Sequence, residues 1–143
     1  MELIRRYSNC FVCGNLNDYG LKVDFFYDKG IARAEYVAGE KFQGYKDILH
    51  GGIISALLDE VMIKAVIARG ILVVTAGIQV KFIKPVKIGE KLFLEGRVTG
   101  EQKKIFTAEG TVRNSKGEIV AAGKGKFFKV TEEMQKILEE SVE

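Results

Sequence analysis

The feature that most constrains this chain is a mainly apolar run, residues 52–68, that begins at the second of two consecutive glycines. On a helical wheel this run is apolar on nearly every side, with one narrow polar strip formed by Glu60 and Lys64. A helix of this kind has to be surrounded by protein, because a surface helix would show a wide polar face. The rest of the 143-residue chain is therefore expected to wrap around this helix.

Two adjacent acids on the predicted helix point in different directions. Asp59 falls on an apolar flank with Met62 and Val66, where an unused carboxylate is costly because burial penalises its charge and raises its pKa. Glu60 precedes Lys64 by one turn, as an i,i+4 ion pair on a solvated face would. We therefore predict that Asp59 is functional and that Glu60 and Lys64 are solvated.

The start of this helix is a candidate site for polarising a carbonyl group. Gly51 and Gly52 would leave free backbone N–H groups at the positive end of the helix dipole. Asp59 would then supply a base about two and a half turns away. The glycines would equally suit a tight turn into the helix. His50, the only histidine, is expected to position the backbone rather than to transfer protons.

Length, composition and charge exclude several classes of protein. The length suits one domain over residues 1–143, with a loop over residues 1–19. The net charge of +3 is too weak for a nucleic-acid surface, although it would suit a small phosphorylated ligand. No export signal or membrane span is evident, so we predict a cytoplasmic protein with neither nucleic acid nor membrane as a partner.

Cys10 and Cys13 are the only cysteines, and their spacing is that of half a zinc knuckle. A structural zinc ion needs four ligands, whereas this chain has one histidine and no second cysteine pair. A site that bridges two subunits would supply the missing ligands. Two reduced thiols in a loop is the simpler interpretation, so we predict no metal and no cofactor.

The regions on either side of the helix show the two-residue period of strands. Residues 20–25 and 31–37 alternate apolar and polar around Asp28-Lys29-Gly30, which predicts a hairpin. Residues 38–49 are irregular, with room for one short helical turn. Four more strands are predicted after Gly70, around residues 78–82, 92–98, 106–112 and 119–130. Thr131 is the expected N-cap of a C-terminal helix over about residues 131–142.

The order of these elements predicts an α+β fold. The connections between the last four strands are short, which indicates antiparallel neighbours. A strongly twisted antiparallel sheet can bury one long central helix on most of its sides. We expect one stripe of the helix to stay exposed and to be covered by a second subunit.

Four motifs along the chain carry a resemblance to a known family. In chain order they are Cys10-Phe-Val-Cys-Gly14 with Gly20-Leu21, Gln43-Gly44 before Leu49-His50-Gly51-Gly52, Asp59 nine residues after that histidine, and Phe82-Ile-Lys-Pro85-Val-Lys-Ile-Gly89. Over residues 10–130 the chain resembles the hotdog-fold thioesterases, in particular the PaaI-like acyl-CoA thioesterases. The resemblance implies a homodimer, often paired again into a homotetramer, with active sites at the subunit interface and acyl-CoA as the substrate.

The resemblance also implies roles for individual residues. The Gly51 N–H would polarise the thioester carbonyl, and Asp59 from the facing subunit would activate water or attack directly. His50 would shape the oxyanion loop, and Thr75 matches a position near the attacking water. Some relatives carry Asn six residues before the histidine, where this chain has Gly44.

Three further residues are predicted to bind substrate. They are Gln43, Gly52 and Ser55. Gln43 adjoins the position of the missing Asn and is a substitute amide donor. Ser55 lies on the same helix face as Asp59, although a mid-helix serine commonly bonds back to a helix carbonyl.

Two other functions are compatible with the same fold. A non-catalytic protein that binds acyl-CoA or another small ligand would keep the pocket and lose the base, and the presence of Asp59 argues against it. A dehydratase or hydratase would need a histidine working with an acid placed differently along the helix. Hydrolysis is favoured because a thiolate leaves readily, so Asp59 and the Gly51 N–H are sufficient. Basic residues that are candidates for binding the CoA phosphates are Lys81, Lys84, Lys87 and Arg97.

Overall fold

The computed structural model describes residues 1–142. The helices are α1 (Gly51–Ile67) and α2 (Glu132–Glu139), and a short 3-10 turn covers Glu40–Phe42. The strands are β1 (Glu2–Leu3), β2 (Phe26–Asp28), β3 (Ile31–Val37), β4 (Val73–Phe82), β5 (Lys91–Gln102), β6 (Ile105–Arg113) and β7 (Ile119–Lys129).

All seven strands form one antiparallel sheet in the order β1-β2-β3-β5-β6-β7-β4. Helix α1 packs against β3 to β7, which cover it across most of its length. This arrangement confirms the predicted α+β fold of a twisted sheet around one long helix. Strand β4, which follows the helix in sequence, lies at one edge of the sheet, so its outer backbone edge is unpaired.

Glycines in the central strands let the helix approach the sheet closely. A Cβ atom at Gly96 of β5 would lie 2.4 Å from the carbonyl oxygen of Val61, so only glycine fits there. A Cβ atom at Gly110 of β6 would come within 3.2 Å of the side chains of Leu58 and Met62. The helix residues at this contact are completely buried, and they form the centre of the core.

The predicted strand over residues 20–25 is wrong. Leu21, Val23 and Phe25 are buried, as their alternation suggests, but their backbones pair with other parts of the N-terminal region. The Leu21 and Val23 N–H groups donate to the carbonyls of residues 11 and 12, and Phe25 O accepts from Ile4 N–H. Lys22 has a φ of +55°, which interrupts a regular strand. The hairpin exists, but its first strand is the shorter β2.

The N-terminal segment, residues 1–25, overturns the prediction that Glu60 and Lys64 are solvated. The Lys64 side chain is 1% exposed and the Glu60 side chain is 13% exposed. The Lys64 ammonium donates to the backbone carbonyl of Arg5 and lies 5.3 Å from the centre of the Tyr7 ring. A helical wheel describes one helix in isolation, so it cannot show that a distant segment covers its polar strip.

The remaining predicted helix and strands agree with the structure in type, although the strand predicted around residues 78–82 begins earlier, at Val73. The short strand β1 lies within the predicted loop over residues 1–19 and was not predicted. Thr131 caps α2, because its hydroxyl accepts a hydrogen bond from the Met134 N–H at 3.2 Å. The helix ends at Glu139, slightly earlier than expected. Within residues 1–142, neither helix has both the length and the apolar character that crossing a bilayer requires.

Candidate active site

The start of α1 is organised by His50. This residue has an extended backbone and occupies the N-cap position of the helix. Its Nδ1 atom accepts a hydrogen bond from the Gly52 N–H at 2.7 Å. Because Nδ1 is an acceptor, the neutral ring carries its proton on Nε2. The imidazole therefore satisfies one of the free N–H groups of the helix start and fixes the path of the backbone.

The Gly51 N–H is the donor that remains available at this end of the helix. No acceptor for it is found among residues 1–142. It lies at the positive end of the dipole of α1, where a developing negative charge is stabilised. A Cβ atom at position 51 would lie 3.5 Å from the Phe82 ring, which is an ordinary contact distance, so alanine would also fit there.

Asp59 is half-buried on the flank of α1 that faces β4. Its Oδ1 atom accepts a hydrogen bond of 2.7 Å from the hydroxyl of Thr75. Burial raises the pKa of Asp59, the Thr75 hydrogen bond opposes this effect, and the charge of Cys10 adds a further upward contribution. A carboxyl group whose pKa is raised in this way is a better proton acceptor than an ordinary aspartate.

Thr75 reaches Asp59 from the edge strand β4. A bulge between Thr75 and Gly77 disturbs the register with β7 at this point, and bulges commonly redirect a side chain. The same strand exposes Val74, Ile78 and Phe82. The Asp59–Thr75 pair thus lies beside an unpaired, apolar sheet edge.

The Gly51 N–H and Asp59 are too far apart to act on one carbonyl within a single chain. Eight residues separate them, which corresponds to about 12 Å along an α-helix. A water molecule that attacks a carbonyl must approach its carbon to about 3–3.5 Å, and the oxyanion donor must contact the same carbonyl. Both groups can serve one substrate only if a second copy of the chain supplies one of them.

The structure places Gln43 in contact with its own loop. Its side-chain Nε2 donates to the Glu40 carbonyl at 2.9 Å, and its Oε1 accepts from the Asp47 N–H at 2.6 Å. A Cβ atom at the neighbouring Gly44 would lie 3.3 Å from the Cα atom of His50. The loop therefore packs tightly against the helix start at the position where some relatives carry Asn.

Ser55 lies one helical turn from both Gly51 and Asp59, on the same flank. The expected bond from its hydroxyl to a helix carbonyl is absent, and no other partner for that hydroxyl occurs in the described part of the chain.

Among the candidate phosphate-binding residues, Lys84 and Arg97 are paired with Glu118 and Glu109.

A second cluster, which could not be predicted from the sequence, brings the ligand atoms of Cys10, Cys13 and Glu60 within 4.8 Å of one another. The signal was present only as the Cys-x-x-Cys spacing, since Glu60 lies fifty residues from Cys10. Three such groups fall short of the four ligands of a structural zinc site. The Lys64 ammonium, 3.9 Å from Glu60 Oε2, already supplies a cation there, so the cluster is poorly suited to a metal ion.

Comparison with known proteins identifies the family and the fold. A family model described as the thioesterase superfamily matches residues 46–121, a stretch that contains α1 and most of the sheet. The chain belongs to the thioesterase superfamily. A provisionally named esterase of Archaeoglobus fulgidus is similar to this superfamily member, with 29% identity over 105 residues, which cover 73% of this chain and 68% of that protein.

Solved structures show the same fold. A thioesterase superfamily protein superimposes with a TM-score of 0.80 and 24% identity over 85% of this chain, which spans 61% of the length of that protein. The Escherichia coli PaaI protein, from the phenylacetic acid degradation operon, gives a TM-score of 0.72 with 21% identity over 78% of this chain and 81% of that one. A Streptococcus mutans protein bound to acetyl-CoA superimposes with a TM-score of 0.71 and 25% identity. The match covers 76% of this chain and 88% of that protein. These matches support the hotdog fold.

Proposed function

We propose that this superfamily member hydrolyses the thioester bond of an acyl- or aryl-acyl-CoA, as a member of the PaaI-like group. The observation that carries the proposal is the Asp59–Thr75 pair, a half-buried carboxyl group with a raised pKa beside an open sheet edge. The acetyl-CoA bound to the similar Streptococcus mutans protein supports the choice of ligand.

The proposed reaction uses two functional groups of the protein. Asp59 takes a proton from a water molecule that Thr75 helps to hold, and the water attacks the thioester carbon. The Gly51 N–H stabilises the negative charge that develops on the carbonyl oxygen. The CoA thiolate then leaves without a strong general acid, because thiols ionise at a pKa of about 8.5. His50 keeps the Gly51 N–H in place, and Gly52 and Ser55, within one turn of Gly51 on the same helix, are the proposed substrate contacts.

The proposed active site is shared between two subunits of a homodimer. The separation of about 12 Å between Gly51 and Asp59 along α1 prevents one chain from completing the site. Strand β4 offers an unpaired backbone edge and exposed Val74 and Ile78, which are suited to pairing with a second copy. Two such dimers would pair in a homotetramer, with each chain contributing a single hotdog domain over residues 1–143.

Two basic residues are the better candidates for binding the CoA phosphates. Lys84 and Arg97 are each held by a glutamate. Lys81 and Lys87 are exposed and form no ion pair with any residue from 1 to 142. A free ammonium group can meet a phosphate without breaking an existing contact.

The first experiment is a hydrolysis screen with short, medium, long and aromatic acyl-CoA thioesters. The full chain should release free CoA thiol from at least one class. Asp59→Asn should abolish this release, whereas Asp18→Asn, which changes an exposed carboxylate in the N-terminal segment, should leave it intact. Binding of acyl-CoA without hydrolysis of any substrate would instead indicate a non-catalytic binding protein and contradict the proposal.

The second experiment tests the shared site by mixing subunits. Gly51→Pro removes one N–H at the first helical position, where proline is well tolerated, and Gly51→Ala is the matched control that keeps it. Homodimers of Gly51→Pro and of Asp59→Asn should both be inactive. Random mixing should restore about a quarter of the wild-type activity, because half of the dimers are hybrids with one intact site.

Two outcomes would contradict the shared site. The first is a monodisperse monomer in sedimentation at micromolar concentration that retains full activity. The second is a mixture that contains hybrid dimers, shown by differently tagged subunits, but recovers no activity. Either result would leave the hydrolysis screen unaffected, so the chemistry and the assembly are tested separately.

A further inference from the structure

Where the N-terminal segment meets α1 lies a polar cluster that the proposed hydrolysis does not use. It consists of Cys10, Cys13, Glu60 and Lys64. Cys10 Sγ and Glu60 Oε2 share a hydrogen bond of 3.6 Å, and the Lys64 ammonium lies 3.9 Å from the same oxygen. Lys64 also donates to the Arg5 carbonyl, so its charge is fixed inside the protein. Burial of an acid, a base and two thiols together calls for a chemical explanation.

The two cysteines differ in access. Cys10 is half-buried, whereas Cys13 is 1% exposed. Their turn points the Cys13 N–H at Cys10 Sγ, with a distance of 3.5 Å, and the two sulfur atoms lie within 4.8 Å of each other. A reachable thiol beside an enclosed one is the arrangement expected of an attacking and a resolving cysteine.

The electrostatics of the cluster agree with this division. Hydrogen bonding by the Cys13 thiol, assisted by backbone N–H groups, lowers the pKa of Cys10 to about 5. Its hydrogen bond to Cys10, together with burial, raises the pKa of Cys13. Desolvation raises the pKa of Glu60 to about 7. The two shifts run in opposite directions, so they favour a negative charge on Cys10 and a proton on Glu60 beside the buried Lys64 cation.

We propose that Cys10 and Cys13 form a dithiol–disulfide redox site that exchanges with low-molecular-weight disulfides, with Glu60 as its proton relay and Lys64 as its fixed counter-charge. The proposed hydrolysis does not use this site, because Glu60 and Lys64 contact the N-terminal segment whereas Asp59 contacts Thr75 of the edge strand.

The exchange proceeds in two displacement steps. In the first, the Cys10 thiolate attacks one sulfur of the small disulfide, forming a mixed disulfide and breaking the original sulfur–sulfur bond. Glu60 gives its proton to the departing thiolate and becomes a carboxylate. In the second, Cys13 passes its proton to Glu60 and attacks the Cys10 sulfur, which forms the Cys10–Cys13 disulfide. Glu60 then protonates the second departing thiolate.

Atoms, electrons and charge balance in this scheme. Two protein thiols are oxidised and one small disulfide is reduced to two small thiols. The negative charge opposite Lys64 is on Cys10 before the reaction and on Glu60 after it, so the buried cation keeps one counter-ion in both redox states. Other titratable groups near the cluster include Tyr7, whose pKa burial raises, and Asp59, and the charges of Arg5 and Glu139 act on Tyr7.

The experiment uses the full chain in buffers with increasing ratios of oxidised to reduced glutathione. After an acid quench and alkylation, intact mass measures the state of both thiols, which are the only two in the chain. The wild type should lose two hydrogens and accept no alkylating label. Cys13→Ser should stop as a mixed disulfide between Cys10 and glutathione. Cys10→Ser should stay reduced, because the enclosed Cys13 cannot reach the probe.

A second measurement tests the role of Glu60. Glu60→Gln should slow formation of the internal disulfide on the order of 10²-fold at neutral pH, while the mixed disulfide still forms. Glu101→Gln, which changes an exposed glutamate of β5, is the matched control and should react at the wild-type rate. Equal rates in the two variants would remove Glu60 from the mechanism.

The wild-type measurement alone can overturn the redox site, even if a serine variant does not fold. Both thiols staying reduced across the whole glutathione series would do so. Stoichiometric zinc by elemental analysis, with thiols that react only after chelation, would show that the cluster holds a metal instead.

Discussion

The two flanks of α1 differ more than their sequences indicate. Asp59 and Glu60 are adjacent acids on one helix, yet Asp59 meets the edge strand β4 while Glu60 is enclosed by the N-terminal segment. Burial raises the pKa of both carboxyl groups. Their partners differ. Asp59 accepts a hydrogen bond from the neutral hydroxyl of Thr75, whereas Glu60 lies beside the Cys10 sulfur and the Lys64 ammonium. The surroundings supplied by distant segments therefore decide what each acid can do.

The difference also separates the accessible flank from the enclosed one. The flank of Asp59 adjoins an unpaired sheet edge, where a second subunit and a substrate can approach. The flank of Glu60 is closed within one chain, and its cluster is reached through the half-buried Cys10. We expect substitutions on the two flanks to give different phenotypes, in turnover on the first and in stability or thiol chemistry on the second.

The largest expected effect is the contrast between Asp59→Asn and Glu60→Gln. Loss of the base should lower kcat on the order of 10²–10⁴-fold with little change in melting temperature, since Asn has nearly the size of Asp. Glu60→Gln should leave kcat within a few-fold of wild type. Steady-state kinetics with the best acyl-CoA, together with thermal melts, compare the two. An active Asn variant beside an inactive Gln variant would mean that the roles of the flanks are reversed.

Lys64→Met tests whether the flank that carries Glu60 and Lys64 is buried. Removing the buried ammonium leaves an uncompensated anion on Cys10 or Glu60, which should cost on the order of 3–5 kcal/mol of unfolding free energy. The loss should be greater at pH 8 than at pH 5, because the remaining anion takes up a proton as the pH falls. Urea titrations at both pH values measure it.

The matched control for this variant is Lys87→Met, which changes an exposed lysine and should leave the unfolding transition where it is. If Lys64 were on a solvated face, as the helical wheel alone suggests, the two variants would behave alike.

The sequence could predict those elements of the structure that are determined by residues close together in the chain. The period of α1 and the alternation along β4 to β7 come from neighbouring residues, so their types and order were correct. Asp59 could be singled out because a carboxylate on an apolar flank of its own helix is costly wherever the rest of the chain lies.

The errors have a non-local cause. The alternation of Leu21, Val23 and Phe25 is real, but backbone pairing within the N-terminal segment decides that these residues form no strand. The contact between Cys10 and Glu60 joins residues fifty positions apart, and neither residue type requires the other. Helix period and strand alternation carry no information about which distant segment covers a given helix face.

The smallest and most specific effect concerns Thr75. The Thr75 hydroxyl donates to Asp59, which stabilises the carboxylate and lowers its pKa against the upward effect of burial. Thr75→Val has nearly the same shape and a high strand propensity, but it has no donor. The pKa of Asp59 should therefore rise further, because the hydrogen bond that stabilises its charged form is lost.

This shift has a definite sign in the pH profile. Hydrolysis needs the Asp59 carboxylate, so activity falls on the acid side as the group takes up a proton, and a higher pKa moves that limb to higher pH. Thr75→Val should show the moved limb in kcat/KM, while Thr75→Ser, which keeps the hydroxyl, should retain the wild-type limb. A limb that stays in place in the Val variant, or moves equally in the Ser variant, would show that Thr75 does not act through the charge of Asp59.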